Sequence, residues 1–80
     1  MHYVYILRSI SNPTQYYIGT TDDLDRRLKA HNAGTIGHTA KFKPWEVVVF
    51  VGFKERERAY RFEKYLKSGS GHEFSRRHFK

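Results

Sequence analysis

The order of hydrophobic and polar positions predicts three β-strands. Residues 2–9 (HYVYILRS), 15–20 (QYYIGT) and 46–53 (EVVVFVGF) are rich in β-branched and aromatic side chains, which is typical of strands. Residues 11–14 (SNPT) contain Pro13 and form the predicted turn of a hairpin between the first two strands. The third segment is apolar at nearly every position, which predicts a central strand that is covered on at least one face.

A helical pattern follows the second strand and ends near Asn32. Thr20 or Thr21 can accept hydrogen bonds from the first free backbone N–H groups, so either is a predicted N-cap. The first turns carry negative charge, which is favourable at the positive end of the helix dipole. The acidic residues are Asp22, Asp23 and Asp25. The sequence NAG, which begins at Asn32, is the predicted stop.

A second helix is predicted over residues 54–69 (KERERAYRFEKYLKSG), with Gly69 and Gly71 as its stop. Residues 72–80 are predicted to form a last short helix or to lie irregularly. Residues 33–45 contain two glycines, a proline and no clear period, so they are predicted to form a long ordered loop. A compact domain seldom carries such a loop without using it.

These elements predict one α/β (α+β) domain over residues 1–80, with a small three-stranded, mainly antiparallel sheet flanked by helices. A chain of 80 residues is near the lower limit for a single hydrophobic core. The apolar run before Arg8 is short and has no basic lead, so neither a signal peptide nor a membrane span is predicted. The absence of cysteine excludes a disulfide framework and a thiolate metal site, and a cytoplasmic location is expected.

The charge of the chain points to a polyanionic partner. Fifteen Lys and Arg residues against eight Asp and Glu residues give a formal net charge of +7 and a pI near 9.9. Such an imbalance in a short chain is typical of proteins that bind nucleic acid. The alternative, that the charge only keeps a small protein soluble, stays open on composition alone.

Three ionisable residues lie on the apolar faces of the two helices. Arg27 and His31 share an arc of roughly 100° with Leu24 and Leu28 on the first helix. Glu63 lies in a similar arc of the second helix, beside three apolar residues. These are Ala59, Phe62 and Leu66. Because burial of an ion is costly unless it is paired or binds a metal, these positions require an explanation.

Two explanations remain open from spacing alone. In the first, Arg27 and Glu63 form a half-buried ion pair and His31 is a hydrogen-bonded core histidine. In the second, the three side chains converge with tyrosines of the hairpin on a shallow site. The fork of guanidinium donors matches a phosphate, and carboxylate oxygens suit Mg²⁺. The second explanation therefore describes phosphodiester chemistry.

The hairpin resembles the signature of the GIY-YIG nuclease superfamily. Residues 3–5 (YVY) stand in place of the first triplet of the family, and residues 17–19 (YIG) match the second. Eleven residues separate Tyr5 from Tyr17, a spacing that suits the family. Tyr3 departs from the pattern, because the family has glycine there.

The resemblance continues through both helices in the same order along the chain. Arg27 takes the position of the catalytic arginine of the family, and His31 that of a recurrent helix histidine. Glu63, in RFEKYLKSG, matches the metal-binding glutamate. The chain most resembles small standalone single-domain members that are related to the excinuclease nuclease module.

The resemblance implies a metal-dependent endonuclease that hydrolyses phosphodiester bonds of DNA with one divalent cation, Mg²⁺ or Mn²⁺. Glu63 would hold this cation. Tyr17, with Tyr5 beside it, would position the attacking water and take its proton. Arg27 would favour a phenolate and donate to the charged phosphorus state. His31 would orient neighbouring groups or relay protons, with a purely structural role as its alternative.

Further residues are expected to support the site. Gly19 is predicted to let backbone or phosphate approach where a Cβ would collide. Four basic residues are predicted to contact nucleic-acid phosphates, with plain solvation as the alternative. They are Lys41, Lys43, Arg76 and Arg77.

No helix-turn-helix or zinc finger is found, so selectivity for the shape of the nucleic acid is predicted rather than for a base sequence. The expected partner is DNA, with no membrane and with a protein partner for targeting as an option. The chain is expected to be a monomer or a weak dimer. The alternatives to an enzyme are a catalytically idle nucleic-acid-binding module, a nuclease subunit that depends on a partner, and a protein-interaction domain that keeps the fold.

Overall fold

Three antiparallel strands form the sheet, in the spatial order β2-β1-β3. The computed structural model describes residues 1–80 and assigns His2–Ser9 to β1, Tyr16–Thr21 to β2 and Trp45–Phe53 to β3. Strand β1 pairs with both neighbours and is the central strand. The predicted three-stranded sheet is therefore confirmed.

The prediction that residues 46–53 form a central strand is wrong, because β3 pairs with β1 alone and lies at an edge. Phe50, near its middle, is 53% exposed. Val47 packs toward one face of the sheet and Val49 toward the other. Both faces of this edge strand are partly covered, so its sequence is apolar nearly throughout. A strand with one solvent-exposed face would instead alternate apolar and polar residues.

Helices cover both faces of the sheet. They are α1 (Leu24–Ala33), α2 (Arg56–Leu66) and α3 (Gly69–His78). Successive side chains of a strand point to opposite faces. Val4 and Ile6 of β1 belong to the core under α2 and α3, whereas Tyr5 and Leu7 belong to the core under α1. No helix is both long enough and apolar enough to cross a bilayer.

The N-cap of α1 is Asp23, not Thr20 or Thr21 as predicted. The Asp23 carboxylate accepts a hydrogen bond from the Arg26 N–H at 3.0 Å. The hydroxyl of Thr21 instead accepts from the Asp23 N–H at 3.1 Å. Strand β2 continues through Thr21, which moves the start of the helix two residues along. The predicted stop is confirmed, since Gly34 takes a left-handed conformation with φ 77°.

The predicted loop over residues 33–45 contains a 3₁₀ helix, Gly37–Phe42, that the sequence pattern did not indicate. Asn32, in the last turn of α1, anchors the C-terminal end of the loop. The Asn32 amide nitrogen donates to the Trp45 carbonyl at 3.1 Å, and the Asn32 amide oxygen accepts from the Trp45 N–H at 2.5 Å. The Trp45 indole N–H donates to the Thr39 carbonyl at 3.0 Å. These bonds fix the 3₁₀ helix against the end of α1.

The second predicted helix is shorter than expected, and the C-terminal segment forms a full helix. Helix α2 ends at Leu66, and Ser68 caps α3 by accepting from the Gly71 N–H at 3.2 Å. Gly69 and Gly71 lie inside α3 and do not terminate a helix. Gly71 is buried against the last turn of α2. Its lack of a side chain allows close helix packing, which a sequence pattern cannot distinguish from a helix stop.

Candidate functional site

Two tyrosine rings meet over Gly19 on the α1 face of the sheet. Tyr5 pairs with Gly19 and Leu7 with Tyr17 across β1 and β2. The centroids of the Tyr5 and Tyr17 rings are 6.2 Å apart. A Cβ on Gly19 would lie 2.6 Å from the Tyr5 hydroxyl oxygen and 2.9 Å from Tyr17 Cε2. The two rings therefore fill the space that the missing side chain leaves. The sequence had predicted that backbone or phosphate would approach Gly19 there.

A chain of hydrogen bonds runs from α1 to the 3₁₀ helix through the Tyr5 hydroxyl. Arg27 Nε donates to the Tyr5 oxygen at 3.3 Å. The Tyr5 oxygen lies 2.9 Å from His31 Nε2, and His31 Nδ1 lies 2.9 Å from Thr39 Oγ1. Thr39 Oγ1 in turn donates to the Ile36 carbonyl at 3.1 Å. The polar atoms of Tyr5, His31 and Thr39 are therefore all partnered.

The two ends of the chain fix its direction. A guanidinium can only donate and a carbonyl can only accept. The Thr39 hydroxyl donates its single proton to the Ile36 carbonyl. It must therefore accept the hydrogen bond from His31 Nδ1–H. His31 Nε2 then carries no proton and accepts from the Tyr5 hydroxyl. The geometry thus assigns His31 to the neutral Nδ1–H tautomer.

The pKa values of the chain agree with this assignment. The pKa of His31 is lowered to about 4, first by burial and then by the positive charge of Arg27, with a smaller electrostatic effect of the nearby His38. Burial raises the pKa of the Tyr5 hydroxyl and outweighs the opposing hydrogen bond from Arg27. Tyr17 and Glu63 raise it further. Tyr5 therefore keeps its proton at neutral pH, and His31 stays uncharged.

Arg27 and His31 face the core, as their positions on the helix predicted. His31 is completely buried, and Arg27 is half-buried. The hydrogen bond to Tyr5, followed by the nearby tyrosine oxygens, raises the pKa of Arg27. The alternative of an Arg27 and Glu63 ion pair is wrong, because the carboxylate of Glu63 pairs with Lys67 at 3.0 Å. The second half of that alternative, a hydrogen-bonded core histidine, describes the observed environment of His31.

Glu63 brings negative charge from α2 to the same site. Its carboxylate is near enough to raise the pKa of the Tyr5 hydroxyl, and its side chain is 23% exposed. No group of three or more acidic or histidine side chains is placed to hold a metal by itself. A single accessible carboxylate suits Mg²⁺, which keeps several waters and is completed by substrate phosphate oxygens. The ammonium of Lys67 pairs with this carboxylate, so a metal ion would have to displace it.

Tyr17 has a different environment from Tyr5. Its half-buried ring lies between two histidines, with centroid distances of 4.8 Å to His31 and 5.4 Å to His38. Its hydroxyl makes no direct hydrogen bond within 3.5 Å, although its charge and a longer hydrogen-bonding interaction with Arg27 raise the pKa of that guanidinium. The sequence motif does not include His38 or Thr39. Both lie on the 3₁₀ helix, whose residues have no period that signals these contacts.

The four predicted phosphate-binding residues are spread over two parts of the chain. Lys41 and Lys43 are exposed in the loop that includes the 3₁₀ helix. Arg76 and Arg77 are exposed on α3, and both pair with Glu73. None of the four makes a hydrogen bond or ion pair with the tyrosines, Arg27, His31 or Glu63. Their contact with nucleic acid stays a prediction.

Comparison with known proteins places this geometry in a family. A family model described as the GIY-YIG catalytic domain matches residues 1–76. The structure-specific endonuclease subunit SLX1 of Debaryomyces hansenii is 38% identical over 84 aligned residues, which cover 96% of this chain and 23% of that protein. The protein of the same name from Candida dubliniensis is 43% identical over 82 residues, 94% of this chain and 27% of that protein. The chain thus spans about a quarter of the length of these relatives.

A solved structure has the same fold. The solution NMR structure of a UPF0213 protein from Bacillus halodurans is 36% identical and superposes with a TM-score of 0.53. The match covers 91% of this chain and 79% of that one. The predicted family and the predicted fold class are both confirmed. The chain belongs to the GIY-YIG catalytic domain family.

Proposed function

We propose that the chain is a structure-selective endonuclease that hydrolyses phosphodiester bonds of DNA with the help of one divalent cation. The observation that carries the proposal is the convergence of Arg27, Tyr17 and Glu63 around the buried hydroxyl of Tyr5. A buried ion pair would account for an arginine and a glutamate but not for this arrangement. The family and the names of the SLX1 relatives support the choice of reaction.

Arg27 is the group that binds the scissile phosphate. Tyr5 holds its Nε, which leaves the two terminal nitrogens available to phosphate oxygens. Charge that develops on the phosphate in the transition state is then stabilised by a donor whose position is already fixed. The bond to Tyr5 thus provides preorganisation.

Tyr17 positions the attacking water and accepts its proton. Its hydroxyl makes no direct hydrogen bond within 3.5 Å in the protein, so it can bind a water molecule. The guanidinium of Arg27 interacts with this oxygen and would stabilise the phenolate that takes the proton. Tyr5 cannot take this role, because burial keeps its hydroxyl protonated. His31 acts through Tyr5 by accepting its proton in a hydrogen bond.

Glu63 is the residue that would hold the divalent cation. Such a cation would supply positive charge that stabilises the phosphate and the leaving oxygen. Lys67 must release the Glu63 carboxylate when the cation binds, because its ammonium lies 3.0 Å away. Its side chain is more than half exposed, so it can move into solvent at small cost.

Cleavage assays on defined substrates test the proposal. We expect the purified chain to cut flapped or branched DNA in Mg²⁺ or Mn²⁺ and to lose this activity in EDTA. Single-stranded DNA, duplex DNA and RNA serve as comparison substrates. Glu63→Gln should lower the rate by about 100-fold or more. Glu57→Gln, an exposed change on the same helix, should leave it unchanged.

Cleavage that survives Glu63→Gln would mean that a contaminant or a different site is responsible. Arg27→Ala gives an independent check of the phosphate role. We expect its cleavage rate to fall by about 100-fold or more while DNA affinity falls only modestly. An equal fall in rate and affinity would make Arg27 a binding or folding residue.

We also propose that a protein partner contributes to targeting. The relatives from Debaryomyces hansenii and Candida dubliniensis are named as subunits, and this chain corresponds to about a quarter of their length. DNA binding by the isolated chain that responds to Arg27→Ala, without cleavage of any substrate, would favour a partner-dependent subunit over an independent enzyme.

A further inference from the structure

A cavity of about 460 Å³ opens beside Arg27, on the side of the molecule where β1 begins and β2 ends. Arg26 and Arg27 of α1 and Arg56 of α2 line it, together with Asp22 and Tyr60. Three guanidinium groups therefore face one carboxylate. We call this space the arginine cavity.

The positive charge of the arginine cavity is only partly neutralised within the protein. Arg56 makes no ion pair. The only acid in the cavity, Asp22, pairs with Arg26 at 3.4 Å, and both side chains are largely exposed. An exposed pair of this length contributes little, so Arg26 can exchange its partner for a stronger anion. Arg26 and Arg56 are thus both available to hydrogen-bond an anion such as a phosphodiester.

Arg27 connects the arginine cavity to the candidate active site. Its Nε is held by Tyr5, while the same side chain forms part of the cavity wall. An anion in the cavity would therefore lie next to the scissile phosphate that we propose Arg27 binds. In a nucleic-acid strand the neighbour of one phosphate is another phosphate at a fixed covalent spacing.

The remaining walls suit a nucleotide better than a bare ion. The ring of Tyr60 is 49% exposed and offers an aromatic face for a base or sugar. The hydroxyl-bearing residues Thr20 and Thr21, at the end of β2, also line the cavity. The volume exceeds that needed for a small anion and falls in the range of ligand pockets.

We propose that the arginine cavity binds a second phosphodiester of the substrate strand, adjacent to the one bound by Arg27, through Arg26 and Arg56. This inference rests on the proposed function and adds a contact that positions the strand. Nothing in the sequence motif indicates it, because Arg56 lies seven residues before Glu63 and joins α1 only in the folded chain.

Binding of a labelled DNA strand, without cleavage, tests the cavity. The probes are a fluorescein-labelled single strand and a flapped DNA, measured by anisotropy in EDTA over a series of salt concentrations. Arg56→Gln should weaken affinity about fivefold at low salt and reduce the slope of log K against log salt by about 0.7 for the single strand. Arg61→Gln is the matched control, since it removes the same charge from an exposed site on the same helix outside the cavity.

Equal losses in Arg56→Gln and Arg61→Gln would overturn the proposal, because they would show a general charge effect. Inorganic phosphate is also tested as a competitor of the labelled DNA. If phosphate binds the wild-type chain but not Arg56→Gln while DNA affinity is the same in both, the cavity takes a free anion and the proposal is wrong.

Cleavage assays on the wild-type chain separate the cavity proposal from the proposed nuclease function. An Arg56-specific loss of binding without any cleavage would retain the cavity and reject an independent nuclease, whereas Glu63-dependent cleavage with no Arg56 effect would retain the nuclease and reject the cavity.

Discussion

Tyr5 and Tyr17 have the same chemistry but different tasks, because their surroundings differ. The Tyr5 hydroxyl accepts from Arg27 and donates to His31, so it has no free proton to offer a substrate. The Tyr17 hydroxyl makes no direct hydrogen bond within 3.5 Å, and its ring is half-buried. Tyr5 therefore fixes the arginine, and in the proposed mechanism Tyr17 binds the water.

Thr39 determines the direction of this hydrogen-bonded chain. Thr39→Val keeps the shape of the side chain and removes the acceptor of His31 Nδ1–H, which leaves a buried donor unpaired. We expect the free energy of unfolding to fall by about 1–3 kcal/mol, measured by urea denaturation followed by circular dichroism. Thr39→Ser, which retains the hydroxyl, should lose clearly less. Equal losses would show that packing of the methyl group, and not the hydrogen bond, is what matters.

The lowered pKa of His31 makes stability depend on pH. Its pKa is about 4 in the folded chain, against the ordinary value of 6.5 that applies once the chain unfolds, so the unfolded state binds the proton first as pH falls. The contribution is fully present above pH 6.5 and is lost as pH falls through about 4. It amounts to about 3 kcal/mol.

Urea denaturation from pH 7 to pH 4 measures this contribution. His31→Gln removes the titrating group and leaves the carboxylates, so its stability should decline with pH less steeply than that of wild type by about this amount. Parallel pH profiles of the two proteins would contradict a buried, neutral His31.

At the scale of elements, the position of Glu63 depends on the contact between α2 and α3. Helix α2 contacts both the sheet and α3, and α3 comes very close to the backbone of α2 at Gly71. A Cβ at that position would overlap the Tyr65 carbonyl oxygen and lie 2.5 Å from Leu66 Cα. The C-terminal helix therefore supports the element that carries the candidate metal ligand.

Gly71→Ala tests this support. The added methyl group meets backbone atoms that cannot rotate away, so we expect a loss of about 3 kcal/mol or more in the free energy of unfolding. Gly69→Ala is the matched control at the start of the same helix, where nothing lies within 4 Å of an added Cβ. It should be neutral or slightly stabilising. Chemical denaturation of both variants decides the matter, and similar values would refute the close contact.

Elements with a strong local signal could be predicted from the sequence, and those that depend on neighbours could not. The strand that carries Tyr5 has a β-branched and aromatic composition, and the strand is confirmed. The helix that carries Arg27 and His31 has a clear period, and its predicted core-facing side is confirmed. The edge position of β3 depends on strand order, which an apolar run does not encode. The role of Gly71 depends on a second helix. In both cases the deciding contact is made by a different part of the chain.

The same distinction applies to the candidate site. The motif brings Tyr17, Arg27 and Glu63 together, because each lies on a regular element with a local signal. Thr39 and His38 reach the site from a 3₁₀ helix without hydrophobic periodicity. Arg56 reaches the wall of the arginine cavity, near Arg26 and Arg27, only in the folded chain. Residues that complete a site from irregular or distant segments are invisible to a motif.

At the scale of the molecule, charge and size together limit how DNA can bind. The net charge is +7, and the ion pairs lie on the surface, where they neutralise little of the field. The longest dimension is 28 Å. At about 3.4 Å per nucleotide this spans about eight phosphates of one strand. The chain can therefore contact only a short stretch of substrate.

These limits predict a definite salt dependence. If three phosphates of a single strand are neutralised, affinity should fall by about tenfold or more between about 50 and 200 mM salt, as measured by anisotropy. A peptide nucleic acid of the same base sequence has no phosphates and serves as the control ligand, with weak and salt-independent binding expected. Salt-independent binding of DNA would instead favour a protein-interaction domain.

The bond between Trp45 and Thr39 gives the protein an internal optical reporter. Trp45 is the only tryptophan, it is 4% exposed, and its indole N–H donates to the same residue whose hydroxyl orients His31. Indole emission depends on the polarity and hydrogen bonding of its surroundings. A rearrangement of the 3₁₀ helix when a strand binds is therefore visible in the fluorescence spectrum of the unlabelled chain, at the residue that sets the proton position on His31.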